Sequence, residues 1–411
     1  MSPEALATRW IMRLPRVEGE LRLSRNELRR IEILWRVLDG MLSVKGGSVL
    51  MGVSYRQGKR VWRRYRENGD AGVMHQSRGR VSNHRLSEEV KAAMLEGYRQ
   101  RYSDFGPTLA LEKLHGDGFH GVSRETLRQW LIGAELWKPR KRGSIYRRWR
   151  EPKEHFGELV QIDGSHHRWF EQRAGQSCLM NMVDDATGTS LVVMEREETA
   201  EAALRVLWGW VKRYGIPMSI YCDRKNVYVI DREPTLDEQL QGIEPKTPFG
   251  IACEKLGIQI ITAYSPQAKG PVERKHGLYQ DRLVKELRLR EISTIEETNL
   301  LLGGGFVDEL NARYARAPRS QEDLHCAVNR RIDLKNVFCF EQQRQVGHDY
   351  VVRDNNQFFQ LVSRRPAELP RPQSKVLVRR WLGGTIHIIH RNREIKYQEF
   401  DPKYRNRKKA G

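Results

Sequence analysis

Residues 159–194 read LVQIDGSHHRWFEQRAGQSCLMNMVDDATGTSLVVM. Leu159 to Ile162 is a short apolar run that ends at Asp163, and Cys178 to Val183 and Ser190 to Met194 are two more. Short apolar runs bounded by turn formers read as strands, and the last two flank the turn signal Asp184-Asp185-Ala186-Thr187-Gly188. The period then changes, because Ala202, Val206, Leu207 and Val211 recur at helical spacing between Thr199 and Tyr214. Met218 to Cys222 reads as a fourth strand ending at Asp223, Phe249 to Leu256 as a helix, and Ile258 to Tyr264 as a fifth strand. The loop SPQAKG then leads into a helix from about Pro271 that contains Glu273. Three strands followed by alternating helices and strands predict an α/β domain.

Three carboxylates stand where these elements end or begin: Asp163, Asp223 and Glu273. Taken singly, each has an ordinary explanation. An Asp at a strand end caps a turn, and a Glu in the first helical turn favours the helix dipole. Asp184 and Asp185 read as formers of the hairpin turn.

The words around the three acids say more. ELVQIDGSHHRW around Asp163, IYCDRKNVY around Asp223, the hairpin VDDATG, and TPFGIACEKLGIQIITAYSPQAKGPVERKHGLYQDRLVKEL around Glu273 resemble the catalytic core of insertion-sequence transposases. The resemblance is to the retroviral-integrase-like DDE superfamily, most closely the ISNCY-like group, and runs from about Arg56 to Val378. It implies a ribonuclease-H-like core, preceded by tandem helix-turn-helix units and followed by a small β domain. It also implies that Asp163 and Asp223 are the first two catalytic acids and metal ligands, and Glu273 the third. In such a sheet the first and fourth strands are neighbours, so Asp163 and Asp223 would be adjacent. Adjacent carboxylates repel unless a cation joins them, and Mg²⁺, or Mn²⁺ in its place, prefers such oxygen ligands. Two such ions stabilise both the attacking and the leaving oxygen of an in-line phosphoryl displacement. One departure is the gap of 50 positions from Asp223 to Glu273, longer than in the family's simplest members and assigned to an insertion after Tyr228. Glu254 is the only rival to Glu273 on spacing, and it lies in a predicted helix before the fifth strand.

Upstream of the core, Leu28, Ile31, Leu34, Trp35 and Leu38 recur at helical spacing until Gly40, a short segment runs from Ser43 to Met51, and Gly52-Val53-Ser54 reads as a turn and N-cap. The third helix has Val61, Trp62 and Tyr65 inward and Arg56, Lys59, Arg60, Arg63, Arg64 and Arg66 outward, a basic face suited to DNA phosphates. This first helix-turn-helix domain is expected over 20–74, followed by a basic linker over 75–86 in which Arg78-Gly79-Arg80 suits a narrow minor groove. Ser87 caps a helix with Val90, Met94, Leu95 and Tyr98 inward, Pro107 opens a second, and Ser123 caps a third carrying Arg124 and Arg128. That pattern predicts a second helix-turn-helix domain over 87–137, which reads DNA or serves packing or dimerisation. The connector 138–150 adds Lys138, Arg140, Lys141 and Arg142 as backbone contacts.

The catalytic core is expected over 151–320. Around Glu273, the cations Lys269, Arg274, Lys275, Arg282 and Lys285 are expected to hold phosphates. His166 and His167 are weighed as contacts to DNA or water against hydrogen-bonded structure. Ser293 and Glu296 read as a capping box, and Gly303-Gly304-Gly305 should interrupt the helix they open. Alternating segments at Phe358 to Val362, Lys375 to Val378, Thr385 to Ile389 and Glu394 to Tyr397, with Gly383-Gly384 as a hairpin, predict a small β-barrel over 333–400 before a basic tail at 401–411.

Composition agrees. The 411 residues carry 72 Lys+Arg against 52 Asp+Glu, a net charge of +20 that points to a polyanionic partner. A length beyond one ordinary domain predicts several, and 39% hydrophobic residues exclude a disordered chain. Five scattered cysteines, with no zinc-type spacing, support neither a disulfide framework nor a zinc knuckle. With no long apolar run the chain reads as soluble and intracellular. The expectation is a DNA transposase that binds terminal inverted repeats, self-associates to join two transposon ends, acts also on target DNA and needs no nucleotide cofactor. A DNA-binding regulator derived from a transposase, and a nuclease acting on RNA–DNA hybrids, are the alternatives.

Overall fold

The computed structural model describes residues 23–75, 77–78, 86–139, 151–240, 242, 244–262, 270–363, 365 and 368–399. The chain divides into two compact units, residues 1–103 with 118–121, and residues 104–117 with 122–411. The division runs through the stretch 87–137, where the second helix-turn-helix domain was expected. The Arg80, Arg140, Lys141, Arg142 and Lys269 positions and the basic tail lie outside the described residues.

In the first unit, helix α1 spans Arg25–Leu38 and is opened by Ser24, whose side chain accepts from Glu27 N while Glu27 reaches back to the Ser24 amide. Helix α2 is Val44–Leu50, capped by Ser43, and α3 is Tyr55–Asn68, capped by Ser54. Leu34, Val61, Tyr65 and Val73 form their shared core, with Ile31, Met51 and Trp62 packed against it. Gly58 allows α2 and α3 to meet closely, because a Cβ there would fall 1.9 Å from Ser48 Oγ. Helix α4, Glu88–Arg101, is capped by Ser87 and buries Met94, Leu95 and Tyr98; Val90 of the expected inner stripe is exposed.

The second unit begins with α5, Pro107–Gly116, and α6, Arg124–Gly133, capped by Ser123. Its sheet contains β1 (Val160–His167), β2 (Ser177–Asp184), β3 (Ser190–Glu195), β4 (Ser219–Cys222) and β5 (Gln259–Thr262) in the order β3-β2-β1-β4-β5. The first three are antiparallel, and β4 and β5 run parallel to β1. This mixed order fits a ribonuclease-H-like core. Strand β1 runs further than the apolar run suggests, to His167, so Asp163 lies inside the strand and not at its end. The polar continuation Gly164-Ser165-His166-His167 is held by antiparallel pairing to Leu179, Cys178 and neighbouring residues of β2.

Helices cover both faces, and side chains alternate between them as strand geometry requires. Cys178, Met180 and Met182 join α7 (Ala200–Tyr214) and α9 (Pro248–Leu256) in one core, whereas Leu179, Val192 and Met194 join α10 (Gly270–Leu289) in the other. The short α8, Leu236–Leu240, lies in the insertion after Tyr228. Helix α11, Ile295–Leu301, is capped by Thr294 with Glu297, one residue on from the expected Ser293 and Glu296 pair. The glycine run does interrupt it: Leu302–Phe306 forms a wide turn with Gly305 at φ 116°, before α12 (Val307–Tyr314).

After α13 (Leu334–Val337) come β6 (Cys339–Gln345), β7 (Val351–Asp354), β8 (Gln357–Leu361), β9 (Lys375–Trp381), β10 (Ile386–His390), β11 (Arg393–Ile395) and β12 (Tyr397–Glu399). Where a barrel was expected, the described strands pair as two sheets, β11-β10-β9-β6 and β12-β8-β7, linked by a Val346 to Val352 bridge. Both sheets contribute to one core of Val346, Val352, Phe359, Leu361, Val376, Val378 and Ile388.

Candidate active site

The centre of the sheet brings two of the three acids together. Parallel pairing sets Val160 opposite Ile220 and Gln161 opposite Tyr221, and continuing that register puts Asp163 opposite Asp223, the residue that follows β4. Glu273 stands in the first turn of α10 and is exposed. That turn is tied to β1 by Gln161, whose side chain accepts from Val272 N at 3.3 Å and donates to Asp185 Oδ1 at 2.8 Å. Further along, Gln280 donates to Ser165 Oγ at 3.1 Å, so α10 is fastened to the strand of Asp163 at two points. Among the described residues, no three His, Cys, Asp or Glu side chains are arranged to hold a metal ion. Asp163 and Asp223 are thus drawn together, and Glu273 is set at the helix start without completing a ready-made cluster.

A fourth carboxylate, which the sequence reading missed, belongs to this site. Glu198 sits just before α7 with its side chain only 5% exposed, and accepts from Lys225 Nζ at 2.6 Å and from Tyr228 Oη at 2.8 Å. Lys225 also lies 3.9 Å from Asp163 Oδ1. Burial opposes the charge of Lys225, but the hydrogen bond and charge of Glu198, with Asp163 and Asp223, hold its ammonium above the ordinary lysine value. Tyr228 is fully buried, which with Glu198 beside it holds the phenol protonated. His166 comes within 3.8 Å of Glu198, and His167 packs edge-on against Trp169, a structural contact.

Asp184 and Asp185 act in structure, as expected. Asp184 is buried and accepts from Thr187 N and Oγ1 inside the turn and from Gly157 N, while Asp185 accepts from Lys153 N. Glu254 pairs with Lys246 at 2.7 Å on α9.

The basic residues separate into two groups. On α3, Arg56, Lys59, Arg60 and Arg63 are exposed, with Arg63 paired to Glu67, and Arg64 is half-buried. Arg78 lies 3.4 Å from Glu27. Arg124 and Lys138 are exposed, Arg128 forms a two-point pair with Glu125, and Arg274 is exposed beside Glu273. Lys275, Arg282 and Lys285 do not share that solvent face, which corrects their reading as phosphate holders. Arg282 is buried against Glu112 of α5, and Lys285 is paired with Asp281. Lys275 is buried with no hydrogen-bond partner, and burial pushes its ammonium down to about 8. Helical spacing could have warned of this, since Lys275, Tyr279 and Arg282 recur at i, i+4 and i+7 on the buried face of α10.

Residues 29–80 match the family model described as a helix-turn-helix domain, a span that takes in most of α1 and all of α2 and α3. The protein named "Putative transposase y4bF" from Sinorhizobium fredii (strain NBRC 101917 / NGR234) is 39% identical over 331 residues, covering 80% of this chain and 71% of that one. The chain belongs to the insertion-sequence transposase family. A transposase for insertion sequence IS1202 from Streptococcus pneumoniae is 27% identical over 313 residues, 67% of this chain and 66% of that relative. Among solved structures, the HTLV-2 integrase catalytic core domain in complex with magnesium aligns with 37% of this transposase and 85% of its own chain, at 18% identity and a TM-score of 0.28. A chain of the simian T-cell lymphotropic virus intasome aligns with 71% of this transposase and 98% of its own length, at 14% identity and a TM-score of 0.34. Among the described residues no helix is long and apolar enough to cross a membrane.

Proposed function

We propose that this transposase recognises the terminal inverted repeats of its element through α3, and cuts and joins DNA at the Asp163, Asp223 and Glu273 site. The observation that carries this reading is the register of β1 and β4, which sets Asp163 across from Asp223 at the centre of the sheet. The donor set is made of carboxylate oxygens, and the ammonium of Lys225 lies 3.9 Å from Asp163. Such a set suits Mg²⁺, with Mn²⁺ as substitute, which keeps waters or substrate phosphates to complete its coordination. A pair of these ions would supply charge stabilisation to the attacking and leaving oxygens of an in-line displacement. Asp163 and Asp223 would hold them from the sheet, and Glu273 would join from α10 when DNA is bound. Water is the nucleophile in the first displacement and the released 3′-hydroxyl in the second, at target DNA. Two transposon ends must meet in one complex, so self-association belongs to this reading.

The test is cleavage and strand transfer on labelled DNA carrying the flanking ends of the encoding gene, with Mg²⁺ or Mn²⁺. Nicking at the repeat boundary should disappear in Asp163→Asn and Glu273→Gln while end binding is retained. A second reading, a site-specific DNA-binding regulator without turnover, is favoured by the absence of a preformed three-ligand cluster among the described residues. Tight end binding with no nicking under either metal would select it.

A further inference from the structure

The Glu198 carboxylate is expensive to keep where it is. It is 5% exposed and shares the Lys225 ammonium with Asp163, and a buried carboxylate beside another is costly unless a cation compensates it. The fold nevertheless makes room for it. Gly164, the neighbour of Asp163, has no side chain, and a Cβ there would come 2.8 Å from Glu198 Oε2 and 2.9 Å from Cys178 Sγ. One oxygen of Glu198 takes the buried Tyr228 hydroxyl and the other takes Lys225. The Lys225 side chain is 45% exposed, and an ammonium has three donors, of which Glu198 engages one. Asp163 at 3.9 Å is too distant for a hydrogen bond. A lysine fixed at its tip by a buried carboxylate, half open to solvent and beside the paired aspartates, is arranged to meet an anion.

We propose that Lys225 is a DNA-contacting residue of the active site that binds a backbone phosphate next to the scissile one, and that Glu198 is its positioning residue, braced by Tyr228. This rests on the reading of Asp163 and Asp223 as the site of strand cleavage. Without Glu198, Lys225 would swing freely or fall onto Asp163, so the loss of Glu198 should resemble the loss of Lys225.

The experiment uses the full chain in a Glu273→Gln background, so that binding to a duplex carrying the element's end can be followed without turnover. Lys225→Met should lower the slope of log affinity against log salt by about 0.9, the share of one phosphate contact on duplex DNA. Lys225→Arg should restore it. Glu198→Gln should lose part of that slope, and Glu198→Gln combined with Lys225→Met should lose no more than Lys225→Met alone. In the otherwise wild-type chain, Lys225→Met should raise KM for DNA more than it lowers kcat. Unchanged salt slopes together with equal falls in thermal stability would make the pair a structural ion bridge and overturn the proposal. So would unchanged slopes with tighter Mn²⁺ binding in Lys225→Met, which would make Lys225 a counter-charge for the metal-free acids. Failure of the cleavage reading looks different: the wild-type chain would not nick DNA with either metal, whatever the salt slopes show.

Discussion

Arg282 of α10 places two guanidinium nitrogens on the Glu112 carboxylate of α5, at 2.6 and 2.9 Å, and its ring-facing side stacks over Tyr314 at 4.9 Å. Arg313 of α12 pairs with the same carboxylate, Lys113 pairs with Glu286, and Arg288 holds Asp104 at 2.6 Å. The helix that bears Glu273 is therefore bolted along its later turns to α5. Removing one partner of a buried pair leaves the other charge uncompensated, a loss of about 3–5 kcal/mol in full burial. Glu112 is 26% exposed, so Glu112→Ala should cost less, about 2–3 kcal/mol, and more than Arg313→Ala, whose partner keeps Arg282. Thermal melting of the two single variants checks the order; equal small losses would mean that the bridge is only a surface feature.

The same bolts predict an acid sensitivity. Burial alone would raise the Glu112 carboxyl, but Arg282 and Arg313 outweigh it and hold it below its ordinary 4.5. Arg288 lowers Asp104 below 3.8, and for Glu286 the pairing with Lys113 and Arg290 overcomes burial. A carboxyl held low in the folded state contributes stability above its ordinary value, and that contribution fades as pH falls through the lowered value. Thermal stability of the second unit should therefore decline below about pH 4.5, and the decline should flatten in the Glu112→Gln, Asp104→Asn, Glu286→Gln triple variant. An unchanged pH profile in the triple variant would assign the acid response to other carboxylates.

Why some of this was legible in the sequence and some was not follows from distance along the chain. Caps at Ser54, Ser87 and Ser123 and the hairpin at Asp184 are local, written within three or four residues, and each lies where the sequence puts it. Glu198 and Gln161 are single polar residues whose partners lie 27 and 111 positions away, so no spacing marks them. The length of β1 was hidden for a similar reason: its polar half is a strand because β2 pairs with it, and propensity contributes little. Strand β6, CFEQQRQ, has only two apolar residues at its start and was missed outright.

Gly58 offers a test in the helix-turn-helix domain. An alanine at an interior helical position normally gains about 1 kcal/mol over glycine. Here the added Cβ would fall 1.9 Å from Ser48 Oγ and 2.8 Å from Ser48 Cβ, and Ser48 is buried with its hydroxyl donating to Val44 O at 2.7 Å. Overpacking of that kind costs about 1–3 kcal/mol, so the clash outweighs the propensity gain. Gly58→Ala should lower the melting point of the first unit and weaken DNA binding, and Ser48→Gly added to it should recover part of both. Higher stability in Gly58→Ala would mean that α2 moves aside without cost.

Lys275 separates charge that serves DNA from charge that does not. It lies two residues from Glu273 in a run of cations, VERKHG, yet it is 7% exposed and its Nζ meets no hydrogen-bond acceptor. A buried polar group without a partner costs about 1–3 kcal/mol on protein scales, and methionine nearly matches the lysine stem in volume while removing the polar tip. Lys275→Met should therefore raise the melting point and leave the affinity for transposon-end DNA, and its salt dependence, unchanged. Arg274→Ala, one position earlier and exposed, should do the reverse, with stability kept and the salt slope reduced by about one phosphate contact. A fall in DNA affinity for Lys275→Met with no gain in stability would show that the α10 turn opens when DNA binds and delivers this ammonium to the backbone.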